Sequence, residues 1–114
     1  MEQVLNQKDI VVVPFPYTDQ TGFKNRPALV LSSDKFNRSS QEVVACAITS
    51  NITQDDFTVM IKPEDWKGGV YSESCIKVGV IFTMNRALAA KRIGRLGAER
   101  FSEVRKKLDE ILGK

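Results

Sequence analysis

Histidine is absent from the sequence, and the two cysteines, Cys46 and Cys75, stand 29 positions apart with no Cys-x-x-Cys pair. A zinc site, which draws on Cys and His at short spacing, has no ligand set here, and no metal or other cofactor is expected. Both cysteines fall in apolar, strand-like segments and read as buried free thiols rather than a disulfide. No stretch approaches the roughly 18 apolar residues of a membrane span. The N-terminal Met1-Glu2-Gln3-Val4-Leu5-Asn6-Gln7 lacks the basic start and apolar core of a signal peptide, so a cytoplasmic protein without membrane contact is expected. Repeats and low-complexity segments are missing too. A chain of 114 residues is long enough to bury one core and too short for two, which predicts a single domain over residues 1–114.

What is present is a chain of ordinary globular composition with its charge unevenly placed. The net charge is +3, yet residues 1–80 hold eight Lys/Arg against ten Asp/Glu, and residues 81–114 hold nine against four. A basic C-terminal third suits a polyanion or an acidic protein partner; a solvated helix face is the plainer reading of any one of these charges.

Apolar runs mark the strands. Asp9-Ile10-Val11-Val12-Val13 is β-branched and is expected to stop at Pro14-Phe15-Pro16, because two prolines remove two ladder donors. Tyr17 to Lys24 is polar around Gly22 and reads as an exposed loop. Ala28 to Leu31 has the length of a buried strand, with Pro27 expected at its start and Arg26 therefore at its mouth. Ser32-Ser33-Asp34 is placed to cap a helical turn over 35–37. Glu42 to Ile48 is a further strand, ending in three small polar groups, Thr49-Ser50-Asn51. Phe57 to Ile61 alternates weakly before Pro63, and Lys67-Gly68-Gly69 reads as a turn. Cys75 to Phe82 is a long apolar run in which Gly79 suggests a bulge or a close backbone approach. Lys91 to Leu96 adds a last short strand. Ala98 to Leu112 is the clear helix: Phe101, Val104, Leu108, Ile111 and Leu112 recur at helical spacing, Glu99 lies in the first turn, and Gly113 stops it. Short strands followed by one amphipathic helix predict a mainly β protein, a small antiparallel barrel over about 8–96 with the C-terminal helix packed on it.

Lys8-Asp9-Ile10-Val11-Val12-Val13-Pro14-Phe15-Pro16-Tyr17-Thr18-Asp19, then Arg26-Pro27-Ala28-Leu29-Val30-Leu31-Ser32, then Ala47-Ile48-Thr49-Ser50 form a series whose order and spacing resemble the MazF/PemK family of toxin endoribonucleases. Agreement continues through Ser74-Cys75-Ile76-Lys77, Phe82-Thr83 and Ile93-Gly94-Arg95-Leu96, so the resemblance covers nearly the whole chain. It implies an SH3-like barrel of the MazF/CcdB toxin type, dimeric, that cuts single-stranded mRNA at short sequences without a metal. It also implies a cognate antitoxin whose acidic tail covers the RNA groove, the pair together binding DNA. Carried over by motif, Arg26 and Thr49 are the catalytic pair.

Such chemistry suits the side chains available. Without histidine, the RNA 2′-OH is the nucleophile, and the products are a 2′,3′-cyclic phosphate and a 5′-OH. The protein then has to hold the phosphate in line and stabilise charge on it. A guanidinium offers a planar fork to two phosphate oxygens and a threonine one further donor. Some relatives place arginine and aspartate two apart in the strand before Thr83; here those places hold Lys77 and Gly79. Glycine is no base, so the base is either a carboxylate such as Asp19 or Glu73 or no dedicated residue. Lys24 and the loop from Tyr17 form the expected groove wall, with Phe15 or Tyr17 for base stacking. Ser50, Asn51 and Lys77 complete the expected RNA-binding set. Phe15 reads equally well as core, and Asp19 as a loop-fixing turn residue. Two other functions compete: a CcdB-like toxin that acts on gyrase by protein contact alone, and an inactive RNA-binding relative.

Overall fold

The computed structural model of the chain describes residues 4–16, 22–52, 55–66 and 73–113. Six strands, β1 (Asp9–Pro16), β2 (Phe23–Val30), β3 (Glu42–Thr49), β4 (Thr58–Met60), β5 (Cys75–Asn85) and β6 (Lys91–Arg95), form one antiparallel sheet in the order β4-β5-β3-β2-β1-β6. Two helices accompany it, α1 (Asp34–Ser39) and α2 (Ala98–Ile111). The sheet curls. Beyond β4, Trp66 bridges to Gly94 of β6, bringing the two edges together, and Phe15 on β1 meets Phe82 on β5 edge-to-face at 4.9 Å although β2 and β3 lie between them.

Period-two alternation divides the apolar side chains between the faces of the sheet. Ile10, Leu29, Cys46, Ile48, Ile76 and Val78 point to one face, where Phe101 and Val104 of α2 close over them. Val11, Val13, Ala28, Val30, Val43 and Ala45 point to the other, covered by Leu5, Met84 and Ala89 and flanked by Phe15 and Phe82. Strands apolar on both sides explain why the sequence shows continuous runs rather than alternation. Both cysteines are buried free thiols. Burial pushes the Cys46 thiol from its usual 9.0 up to about 12. The folded chain thus holds that proton more tightly than the unfolded one, and stability at this position is lost only as pH rises above about 9.

Helix expectations hold closely. The Ser33 hydroxyl accepts from the N–H of Phe36 at 3.1 Å and caps α1, and Gly113 takes a φ of 83° just past α2. The strand ends differ from expectation at the prolines. β1 runs on through Pro14 and Pro16, and β2 begins at Phe23, so Pro27 and Arg26 lie inside the strand, Arg26 paired with Val13. The reason is local to each neighbour. Pairing of β6 with β1 covers only Asp9 to Val12, and pairing of β3 with β2 only Ala28 to Val30. Among the described residues all three prolines therefore stand where one flank of the strand has no paired neighbour, and a missing N–H there removes no ladder bond.

β5 reaches Asn85, three residues past the apolar run, and carries the expected bulge. Cys46 pairs with Ile81 but Ala47 with Lys77, so residues 78–80 are extra. Gly79 sits in that bulge, where an added Cβ would meet only Ile111, at an ordinary 3.7 Å. The close backbone approach falls instead at Gly94, where a Cβ would collide with the carbonyl oxygen of Asp65. The turn expected at 67–69 lies outside the described residues.

Candidate functional site

The site begins with the β2–β3 register. Ala28 pairs with Ala47, and the paired ladder stops there. Two residues further along each strand, past the last pair, Arg26 and Thr49 lie at the same end of the sheet, on the face shared with Ala28 and Ala47. β5 continues the row, with Cys75 paired to Thr49 and Lys77 to Ala47. On the other flank Val13 pairs with Arg26 and Phe15 with Lys24. One end of one sheet face thus gathers Lys24, Arg26, Thr49 and Lys77 from three strands, where β2 and β3 part.

Burial and bonding give each group its part. Arg26 and Lys24 are exposed, and among the described residues Arg26 makes no ion pair or hydrogen bond, so its fork of donors is unspent. Thr49 is half-buried. Its Oγ1 accepts from the N–H of Asn51 at 3.0 Å, a turn that fixes the hydroxyl while leaving its hydrogen to donate outward. Cys75 beneath it is fully buried, which anchors the strand carrying Lys77. Lys77, half-buried, is turned to this face by the bulge at 78–80 that follows it.

Ser50 and Asn51 are exposed in the bend after Thr49, and Glu73 is exposed two residues ahead of Cys75. Phe15 is half-buried against Phe82, so its ring belongs to the second apolar cluster. Tyr17 and Asp19 lie outside the described residues. Spacing gave no sign of Asp9: fully buried at the head of β1, it faces Arg92 at 3.6 Å and Arg95 at 3.9 Å. The one available signal was a carboxylate directly ahead of an apolar strand.

Among solved structures, this curled sheet with a terminal helix is that of MazF toxins. The MazF chain of a MazE–MazF crystal structure from Deinococcus radiodurans superposes with a TM-score of 0.80 at 28% identity, over 97% of this chain and 98% of that one. A mycobacterial endoribonuclease superposes with a TM-score of 0.80 at 16% identity, over 99% and 95% of the two chains, and a mycobacterial endoribonuclease in complex with its cognate antitoxin with 0.79 at 17%, over 96% and 95%. No curated protein matches the sequence. The chain belongs to the PemK-like, MazF-like toxins of type II toxin–antitoxin systems, whose family model matches residues 6–112.

Proposed function

We propose that this toxin is an endoribonuclease that cuts single-stranded mRNA and so stops translation and growth. The observation that carries the reading is that Arg26 and Thr49 share one end of one sheet face where β2 and β3 part, one an unspent fork of donors among the described residues, the other a hydroxyl held by the Asn51 turn. A scissile phosphate set between them receives two donors from the guanidinium and one from the hydroxyl. These strengthen as charge builds on the phosphoryl oxygens. The RNA 2′-oxygen attacks phosphorus and loses its proton, the bond to the 5′-oxygen breaks, and that oxygen leaves with a proton as a 5′-OH, the other product being a 2′,3′-cyclic phosphate. Thr49 acts as a donor in this scheme and not as the base, because a neutral hydroxyl is far too weakly basic to take the 2′-OH proton. Glu73 is the nearest carboxylate in sequence to the Thr49–Cys75 row and serves as candidate base. Lys24, Lys77, Ser50 and Asn51 line the path of the strand on either side of the cut.

The same cationic rim suits an acidic antitoxin tail, consistent with the relatives solved with an antitoxin. The active form is a homodimer in the cytoplasm. Purified protein incubated with a long single-stranded RNA in EDTA tests the reading. Discrete fragments are expected whose 5′ ends accept phosphate from polynucleotide kinase without prior dephosphorylation. Ends already bearing phosphate, or activity lost in EDTA, contradict it, and intact RNA leaves the CcdB-like protein binder ahead.

A further inference from the structure

We propose that Arg92 and Arg95 on β6 form a second phosphate-binding site that holds single-stranded RNA away from the cut. The assignment rests on the ribonuclease reading above for its partner, and on different residues for its evidence. The Asp9 carboxylate is fully buried; its Oδ2 accepts from the N–H of Asn6 at 2.8 Å, and its Oδ1 has no hydrogen-bond partner among the described residues. Arg92 and Arg95 approach it at 3.6 and 3.9 Å, near enough for attraction and too far for a hydrogen bond. Their side chains are 36% and 51% exposed. One buried anion therefore gathers two guanidinium groups side by side, while among the described residues their N–H donors are left unspent. Solvent meets the cations and not the carboxylate.

Charges on an edge strand also deter pairing between copies, and β6 is such an edge. That role is met by any scattered lysine and has no use for a buried carboxylate beneath two arginines. Two forks held together match phosphodiester oxygens far better than separate point charges do. Their position fits the same strand of RNA. Arg92 pairs with Val11 and Arg26 with Val13, so the two lie on one face of the sheet, two strand spacings and two residues apart, about 12 Å along the sheet. A few nucleotides span that distance.

Binding measured by fluorescence anisotropy on 2′-O-methyl RNA, which 2′-OH attack cannot cut, tests the site independently of cleavage. A short oligonucleotide confined to the cut sequence is compared with one extended by about ten nucleotides on each side. The Arg92→Gln/Arg95→Gln protein is expected to lose about tenfold in its preference for the long RNA, with the slope of log K against log salt shallower by about 1.4, two phosphates on a single strand. Arg95→Gln alone, at a side chain 51% exposed and with Arg92 left to face Asp9, keeps the test valid if the double variant folds poorly and is expected to reduce the same preference. Lys91→Glu, at a position paired with Val12 on the other face of the sheet, is expected to leave it unmoved. On cleavable RNA the loss falls on KM rather than kcat. An unmoved long-to-short preference in the arginine variants overturns the site, as does loss of binding to an acidic peptide with RNA binding intact. Wild-type protein that binds the long RNA through β6 yet cuts no RNA upholds the site and sinks the ribonuclease reading instead.

Discussion

At Arg26 the question is whether the guanidinium serves the fold or the substrate. A buried structural pair would strand a carboxylate on removal and cost about 3–5 kcal/mol. Arg26 is exposed and, among the described residues, without an ion pair, so Arg26→Ala is expected to change stability by no more than a typical surface substitution, about 0.5 kcal/mol. Turnover in single-turnover cleavage should fall by about 10² to 10³, the loss that follows removal of one preorganised donor to developing charge. Arg26→Lys separates charge from fork: RNA affinity close to wild type, turnover poor. Thr49 is less clean because its oxygen also holds the Asn51 turn. Thr49→Val loses both roles and about 1 kcal/mol of stability with them, whereas Thr49→Ser keeps the hydroxyl and should keep most of the activity. Combining Arg26→Ala with Thr49→Val should cost far less than the product of the single effects if both serve one transition state. A folded Arg26→Ala protein that cuts at the wild-type rate removes the centre of the reading.

Among the elements, legibility followed what a single segment can know about itself. The apolar runs located the strands, and the Ser33 cap and Gly113 stop bounded the helices, because those signals act within a few residues. The prolines misled because their cost depends on how far a neighbouring strand reaches, which Pro14, Pro16 and Pro27 do not record themselves. The candidate site was legible as residue types at motif spacing. Its geometry was not, since the Arg26–Thr49 relation is a register between strands, and Asp9 draws its meaning from arginines more than 80 positions away. Gly94 shows the same limit. Its need is set by the carbonyl of Asp65, brought close by the Trp66 bridge that joins the sheet's edges. Gly94→Ala is therefore expected to destabilise the protein by about 1–3 kcal/mol through forced backbone movement, whereas Gly79→Ala, with only ordinary contact to Ile111, should stay well below that. Urea melts of the two variants check the contrast, and equal costs would mean the closure at Gly94 is loose.

For the whole molecule, the apolar surface left over after folding decides how it associates. Most of the run from Cys75 is consumed by the chain's own core: Cys75, Ile76 and Val78 are fully buried. The surplus is Val80 at 47% and Ile81 at 39% exposure, together with Leu112 at 71%. Ile81 and Leu112 line one groove of about 390 Å³ with Leu31, Val44 and Leu108, and Arg105 and Asp109 stand one helical turn apart on its wall. A cation and an anion so spaced beside an apolar strip are self-complementary across a two-fold axis, the symmetry of most small homo-oligomers. Light scattering at tens of micromolar is expected to give twice the mass of the chain, through an interface burying more than about 1,000 Å². Ile81→Glu places an unpaired charge in that strip and should shift the protein toward monomer. Because the side chain is already partly exposed, the far-UV circular dichroism of the monomer should stay that of the folded chain. A wild-type monomer at that concentration removes the dimer; a dimer unmoved by Ile81→Glu moves the interface to another face, with the groove beside α2 left to a different occupant.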